Sequence, residues 1–218
     1  MIKIKTSNDV QVFITSDTHY GHKNICRGVT DWRLPNGDIP IDSTRDFLTI
    51  KDMNDAIVKN INNVVRENDI LIHLGDWSFK GIDNIFEFRS RINCQTIHLI
   101  LGNHDKFIKF DKNDCSKLFS SIQHIQTFKI DDFCFVASHY PIQSWENLKL
   151  GWSHLHGHMH YSPTNKLGFG RKMDIGIDGH IEFRPYNIVN EIMPIMNERE
   201  IDTHLKNDHH LNNVLNNN

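Results

Sequence analysis

The chain has 218 residues, enough for one domain with a substantial core, and its 39% hydrophobic and 23% charged residues are ordinary for a globular protein. A formal net charge of −3 argues against an extended nucleic-acid-binding surface, and no apolar run reaches membrane-spanning length. Histidine is in excess, with 15 residues, which indicates metal ligands, a histidine-rich polar tail, or both.

The two ends of the chain and its cysteines predict an intracellular protein. The four cysteines form no C-x-x-C pair and suggest no disulfide framework. Residues Met1 to Val12 alternate polar and apolar side chains and lack the apolar core of a signal peptide. We therefore expect a cytoplasmic protein with a single domain over residues 1–200. Residues 201–218, and Asn207 to Asn218 above all, have little to bury and are expected to form a disordered polar tail.

The first half of the chain alternates predicted strands and helices. Val10 to Ser16 is a predicted strand, and a capping box at Thr49 begins a helix with one apolar face. A strand over Asp69 to Leu74, a helix over Ile85 to Ile92 and a strand over Thr96 to Leu101 follow. This order predicts parallel strands joined by crossovers.

The second half predicts shorter elements. Lys106 to Ser121 mixes polar and aromatic residues and gives no clear structure. The predicted elements are a hairpin of Phe128 to Ile130 with Phe133 to Ala137, strands over Ser153 to His156 and Lys172 to Ile177, and a short helix or edge segment over Ile188 to Met196.

Polar clusters follow five of the predicted strands. They are Asp17-x-His19, Gly75-Asp76, Gly102-Asn103-His104-Asp105, His139, and Gly157-His158-x-His160. Residues this far apart in sequence can meet where strands end at one edge of a sheet, which is where open α/β folds place their ligands. Asp17 and His19 alternate as strand residues do, so both side chains point the same way and suit one metal ion.

The chemistry of these side chains predicts the kind of metal. Carboxylate, amide and imidazole ligands suit divalent first-row ions such as Mn, Fe, Co, Ni or Zn. They fit poorly with Ca or Mg, which favour all-oxygen shells, and with structural zinc, which favours cysteine.

The five clusters, in this order and spacing, resemble the calcineurin-like metallophosphoesterase superfamily over about Val10 to Tyr186. The run Asp17-Thr18-His19-Tyr20-Gly21-His22 is similar to the start of its small, capless bacterial and phage members. The resemblance implies an α/β fold in which two mixed sheets pack as a sandwich flanked by helices. It also implies a site for two metal ions at the carboxyl ends of the strands.

The resemblance also implies roles for individual residues. It assigns Asp17, His19 and His160 to a first ion, and Asn103, His139 and His158 to a second. Asp76 would bridge both ions, and His104, paired with Asp105, would face the substrate. His22 and Asn24, which follow the first cluster, could contact the substrate phosphate or the outer shell of the metal.

The implied reaction is hydrolysis of a phosphate ester by in-line attack of a metal-bridging hydroxide, with manganese as the expected metal. Two ions, two carboxylates and a hydroxide leave a local charge of about +1, which suits a phosphate. His104 would act as general acid on the leaving oxygen, and Asp105 would fix its tautomer. A phosphodiester, with a nucleotide as one possible substrate, is the leading hypothesis. A phosphomonoesterase and a non-catalytic metal-binding scaffold are the alternatives.

Other polar residues have structural explanations. His73 and His98 lie inside apolar strands and are expected in the core, and His154 and His156 are expected to support the site. Asp174 and Asp178 are expected to bond to the scaffold near it.

Overall fold

The computed structural model describes residues 1–110, 114–162, 168 and 170–201, and every structural statement below concerns these residues. The strands are β1 Ile2–Ile4, β2 Val12–Thr15, β3 Ile70–His73, β4 Thr96–Ile100, β5 Ser121–Gln123, β6 Ile125–Ile130, β7 Phe133–Ser138, β8 Ser153–His156, β9 Lys172–Asp174 and β10 Tyr186–Asn187. The α-helices are α1 Ile50–Val64, α2 Ile82–Arg91, α3 Lys106–Lys109 and α4 Met193–Glu198. Short 3-10 helices cover Arg27–Val29, Ile41–Ser43, Cys115–Leu118, Leu148–Leu150 and Ile177–Gly179, and a π-helical turn covers Ile188–Ile192.

The strands form two mixed sheets of five, as predicted. The first has the order β10-β2-β3-β4-β5, in which all pairs are parallel except β10 with β2. The second has the order β1-β6-β7-β8-β9, and only the β6–β7 hairpin is antiparallel. Parallel pairing puts the carboxyl ends of β2, β3 and β4 at one edge of the first sheet. It likewise puts the carboxyl ends of β7 and β8 at one edge of the second sheet.

Alternation along the strands builds two cores. On β2, Val12 and Ile14 lie in the core between the sheets, together with Phe128 and Phe135 of the second sheet. Phe13, between them, points to the opposite face and packs in the core beneath the helices. The sandwich flanked by helices that the sequence predicts is therefore confirmed.

Helix α1 covers the outer face of the first sheet. Thr49 caps it by accepting the backbone N–H of Asp52, as the capping box predicts. Met53, Ile57 and Ile61 recur on one face and are fully buried in the core beneath the helices. Burial of this stripe fixes the helix against β3 and β4.

Two elements differ from the sequence prediction. The predicted strand over Lys172 to Ile177 ends at Asp174, because the Asp174 carboxylate accepts the Gly176 N–H and turns the chain into a 3-10 helix. The segment Lys106 to Ser121, left without a prediction, contains α3, a 3-10 helix and the first residue of edge strand β5.

Among the residues that the structure describes, no helix has both the length and the apolar character needed to cross a bilayer. The predicted tail over Asn207 to Asn218 lies outside the described residues.

Candidate active site

The loops that follow the strands hold the predicted ligands in an unusual backbone conformation. Five of them have positive φ: Asp17 (56°), His19 (48°), Asp76 (55°), His158 (73°) and His160 (51°). This left-handed region is uncommon outside glycine, and a residue held there costs on the order of 1–3 kcal/mol unless its surroundings enforce it. Such strain clusters at functional sites, which makes these loops the first candidates for one.

Two glycines allow the loops to approach each other closely. A Cβ atom on Gly102 would collide with the carboxylate of Asp76, and one on Gly157 would collide with that of Asp17. Both glycines belong to the clusters that the sequence analysis identified. They let the carboxylates of Asp76 and Asp17 lie directly against neighbouring backbone.

The first group of converging side chains is Asp17, His19 and His160. Nε2 of His160 lies 3.1 Å from Nε2 of His19 and 3.6 Å from Oδ1 of Asp17. Oδ1 of Asp17 and Nδ1 of His19 are buried and have no hydrogen-bond partner in the described structure. A cation among these atoms would satisfy the orphaned carboxylate oxygen.

The second group is Asp17, Asp76 and His139. Nδ1 of His139 donates to the carbonyl of Leu74 at 2.8 Å, so a neutral ring presents the lone pair of Nε2. This Nε2 faces Oδ2 of Asp76 at 3.5 Å and Oδ1 of Asn103 at 3.0 Å. Lone pairs that converge without a donor hydrogen repel one another, so this donor set also fits a cation.

Asp76, a member of the second group, also faces the first group. Its Oδ2 is 3.4 Å from Nε2 of His19 and 3.5 Å from Nε2 of His139, while its Oδ1 accepts the backbone N–H of His104. Burial raises the pKa of Asp76 to about 6, against the lowering effect of His139. A nearby cation would favour the ionised carboxylate.

His158 is placed differently from the other predicted ligands. Its backbone N–H donates to Oδ2 of Asp17, and its exposed ring packs edge-on against His139 at 5.1 Å and Tyr140 at 4.8 Å. Within the described residues its ring nitrogens belong to neither converging group.

His104 and Asp105 differ from the expected pair. The exposed His104 ring lies at the mouth of the site, 5.3 Å from the His19 ring, and burial lowers its pKa. The buried carboxylate of Asp105 instead accepts the backbone N–H groups of Asp76, Trp77 and Gly102. The structure shows no hydrogen bond between Asp105 and the His104 ring, and Asp105 fixes the loops after β3 and β4. Its negative charge still opposes the lowering of the His104 pKa by burial.

A cleft of about 1650 Å³ opens onto these groups, and both predicted substrate residues line it. His22 stacks on Phe79 at 3.8 Å, and burial lowers its pKa to about 4. Oδ1 of Asn24 accepts the backbone N–H of Asp31 and so helps to fold the loop at the rim. Trp32, 38% exposed, lies edge-on to His22 at 6.0 Å.

Arg45, which the sequence analysis missed, joins this cleft to the site. Its Nε and Nη2 donate to the two carboxylate oxygens of Asp178 at 2.7 and 2.8 Å. Oδ2 of Asp178 also bonds Nδ1 of His160 at 2.9 Å. Burial would raise the pKa of Asp178, but Arg45 and His160 hold it well below its usual range. No motif marks Arg45, since only the folded chain brings it to Asp178.

Asp174 supports the site as expected, through backbone contacts. Its oxygens accept the N–H groups of Gly176 and Met159, and burial, followed by the nearby Asp17, raises its pKa to about 7.

Known proteins resemble this chain over most of its length. The model of the calcineurin-like phosphoesterase family matches residues 10–215. A protein of Methanocaldococcus jannaschii, the uncharacterized protein MJ1445, is 29% identical over 161 residues, covering 73% of this chain and 74% of its own. The crystal structure of AQ665 from Aquifex aeolicus, a protein of unknown function, superposes with a TM-score of 0.59 at 20% identity, over 85% of this chain and 99% of that one. An archaeal phosphodiesterase gives a TM-score of 0.43 at 22% identity, over 78% and 87% of the two chains.

The family match spans residues 10–215, nearly the whole chain. AQ665 shares the fold of this chain. The converging carboxylates and imidazoles are able to hold the divalent metal ions that the family implies. The chain therefore belongs to the calcineurin-like phosphoesterase family and is a metal-dependent phosphoester hydrolase.

Proposed function

We propose that this protein is a phosphodiesterase that works with two divalent transition metal ions. Asp17, His19 and His160 would hold the first ion, and Asn103, His139 and His158 the second. Asp76 would bridge the two ions. The observation that carries this assignment is the position of Asp76 Oδ2, at 3.4 and 3.5 Å from one histidine of each group.

When bound, two such ions lower the pKa of water towards neutrality and neutralise charge on the phosphoryl oxygens. The residues of the chain supply position and proton transfer. The backbone N–H of His104 donates a hydrogen bond to Oδ1 of Asp76, which fixes His104 beside the carboxylate proposed to bridge the ions. As a water oxygen forms its bond to phosphorus, the bond between phosphorus and the leaving oxygen breaks, and the His104 ring at the mouth of the cleft donates a proton to the leaving oxygen.

The wall of the cleft favours a nucleotide-type diester. Phe79, His22 and Trp32 form a ring cluster beside His104, whose ring lies 5.0 Å from that of Phe79. Aromatic side chains of this kind stack on nucleic-acid bases. Exposed Lys80 at the rim adds a positive charge. A nucleotide could place its phosphate over the site and its base against Trp32.

The direct test compares a chromogenic aryl phosphodiester with the matching aryl monoester. The protein is stripped of metal, and Mn²⁺, Fe²⁺, Co²⁺, Ni²⁺ or Zn²⁺ is returned in separate reactions. We expect faster diester turnover that depends on added metal and is greatest with Mn²⁺. Faster monoester turnover would make the protein a phosphomonoesterase. Two bound ions without turnover of either ester would favour the binding scaffold.

A further inference from the structure

Arg45 is a buried cation that the reaction outlined above does not use. It lines the cleft, yet its side chain is only 7% exposed and its guanidinium packs over the Phe183 ring at 5.1 Å. A buried charge of this kind is stable only when its hydrogen bonds are satisfied. The partners of Arg45 therefore indicate what it does.

The acceptors that the described structure gives to the Arg45 guanidinium all lie at the site. Nη1 donates to the carbonyl of Thr18 at 2.8 Å and Nη2 to that of Asp17 at 2.6 Å. The fork made by Nε and Nη2 holds both oxygens of Asp178. Four of the five N–H donors of the guanidinium are thus committed to protein acceptors. Arg45 is therefore poorly placed to bind a substrate phosphate directly.

The chain of contacts continues from Asp178 to a predicted metal ligand. Oδ2 of Asp178 bonds Nδ1 of His160 at 2.9 Å, and Nε2 of the same ring faces Asp17 and His19. A carboxylate on Nδ1 fixes the orientation of the ring and leaves Nε2 as the ligand atom. The bidentate fork fixes the carboxylate in turn, which a single point charge would do less well.

The backbone contacts act on the same group. Asp17 and His19 both have left-handed φ. The two carbonyls that Arg45 holds, those of Asp17 and Thr18, belong to the backbone that joins these two residues. The backbone of Arg45 is itself anchored, since its N–H donates to Ile25 and its carbonyl accepts from Arg27. Arg45 therefore connects its own segment of the cleft wall to the first group in two ways. It holds the backbone of Asp17 and Thr18 directly, and it holds His160 through Asp178.

We infer that Arg45 is a positioning residue for the first metal site, acting through Asp178 on His160. This rests on the proposed ligand assignment and goes beyond it by making metal affinity depend on a side chain that does not touch the metal. Loss of partners that orient a metal-bound histidine costs about 10–100-fold in affinity. The same loss is expected here, and at the first site only.

The test is a double-mutant cycle between Arg45 and His160, with Mn²⁺ affinity of metal-free protein measured by calorimetric titration. Arg45→Met should weaken Mn²⁺ binding at the first site about 10–100-fold. In a His160→Ala background, where the ring is already lost, Arg45→Met should cause a clearly smaller loss, since only its contacts with the carbonyls of Asp17 and Thr18 remain to act on the site. A loss of the same size in both backgrounds, or no loss in either, would overturn the inference.

Two further variants separate positioning from general stability. Arg184→Met removes an equally bidentate pair, made with Glu191 and outside the cleft lining, and should leave Mn²⁺ affinity unchanged. Arg45→Lys keeps the buried positive charge but cannot form the bidentate contact with Asp178. This variant therefore tests the positioning role if Arg45→Met does not fold. It should retain an intermediate affinity, and wild-type affinity would contradict the role of the fork. Wild-type protein that binds no metal at all would refute the ligand assignment and not the role of Arg45.

Discussion

The rings of His19 and His160 stack with centroids 5.0 Å apart and with their Nε2 atoms separated by 3.1 Å. Burial and the His160 ring lower the pKa of His19 well below its usual value. A proton or a metal ion between the two nitrogens relieves their repulsion. A metal ion does so while also pairing with the orphaned Oδ1 of Asp17.

Metal removal should therefore destabilise the protein. At a free metal concentration of 100 times the dissociation constant, binding to the folded state adds about 2.7 kcal/mol to the free energy of unfolding. We expect chelation to lower the midpoint of thermal unfolding by several degrees and Mn²⁺ to restore it. In His160→Ala the metal-dependent shift should be smaller, because the first site loses a ligand while the second group keeps its side chains. A midpoint of thermal unfolding that is the same with and without metal in the wild-type protein would contradict the proposed site.

Asp76→Asn should reduce metal occupancy at both groups, because Asp76 Oδ2 faces one histidine of each. The substituted amide removes a negative charge from between two cations while nearly preserving shape. Metal content per protein, measured by mass spectrometry after dialysis, should fall at both sites. Asp132→Asn, at an exposed position on the β6–β7 turn, is the matched control and should retain full content. Full stoichiometry in Asp76→Asn would show that this carboxylate does not bridge.

His104→Ala should slow turnover by about 10²–10⁴-fold, the usual contribution of a general acid. Metal content should stay at the wild-type value, because the ring lies at the cleft mouth and outside both converging groups. Single-turnover assays with saturating metal measure the chemical step. The exposed histidine His124, which does not line the cleft, provides a matched control in His124→Ala. Unchanged turnover in His104→Ala would remove this residue from the mechanism.

Trp32→Ala should weaken binding of nucleotide diesters selectively. Stacking of a base on an aromatic ring contributes about 1–3 kcal/mol, so KM should rise by about 5- to 160-fold while kcat changes little. A matched diester that lacks the base should show no such change. Leu34→Ala removes an equally exposed apolar side chain of the same segment outside the cleft lining and serves as control. Equal losses with both substrates would argue against base recognition by Trp32.

The sequence predicted much of the fold because alternation and strand-ending turns are local signals. Val12 and Ile14 face one core and Phe13 the other, as period-two alternation requires. The polar clusters could be assigned to one site because each directly follows a strand. Parallel pairing brings such strand ends to one edge of a sheet.

What the sequence did not predict depends on contacts between distant segments. Arg45 lies 133 positions from Asp178 in the chain, and nothing around either residue marks the partner. Asp105 follows His104 directly, which suggested a pair, but the close approach of the loops at Gly102 turns its carboxylate towards three backbone N–H groups. Side-chain direction in a turn is set by this tertiary packing, which neighbouring residues in the sequence do not reveal.

His154 makes stability depend on pH. Its buried ring donates from Nδ1 to the carbonyl of Val136, and its Nε2 accepts the N–H of Ile142. Protonation would place a second donor against that N–H, and burial lowers the pKa of His154 to about 4. Because this pKa is below the value of about 6.5 in the unfolded chain, unfolding takes up a proton between these two pH values. The stabilisation is therefore complete above pH ~6.5 and is lost as the pH falls towards 4.

Between pH ~6.5 and 5 the loss from His154 is on the order of 2 kcal/mol, since one pKa unit corresponds to about 1.4 kcal/mol. His73, buried with a pKa lowered to about 3, adds a loss in the same direction. Buried Asp76 and Asp174, whose pKa values are raised to about 6 and about 7, change the stability in the opposite direction over this range. Urea unfolding of metal-free wild type and His154→Gln at pH 7 and pH 5 therefore isolates the contribution of His154. His154→Gln, which cannot titrate, should be less stable at pH 7 but should lose less on acidification. An equal loss in wild type and His154→Gln would assign the pH dependence to other groups, with the remaining buried histidines as the first to substitute.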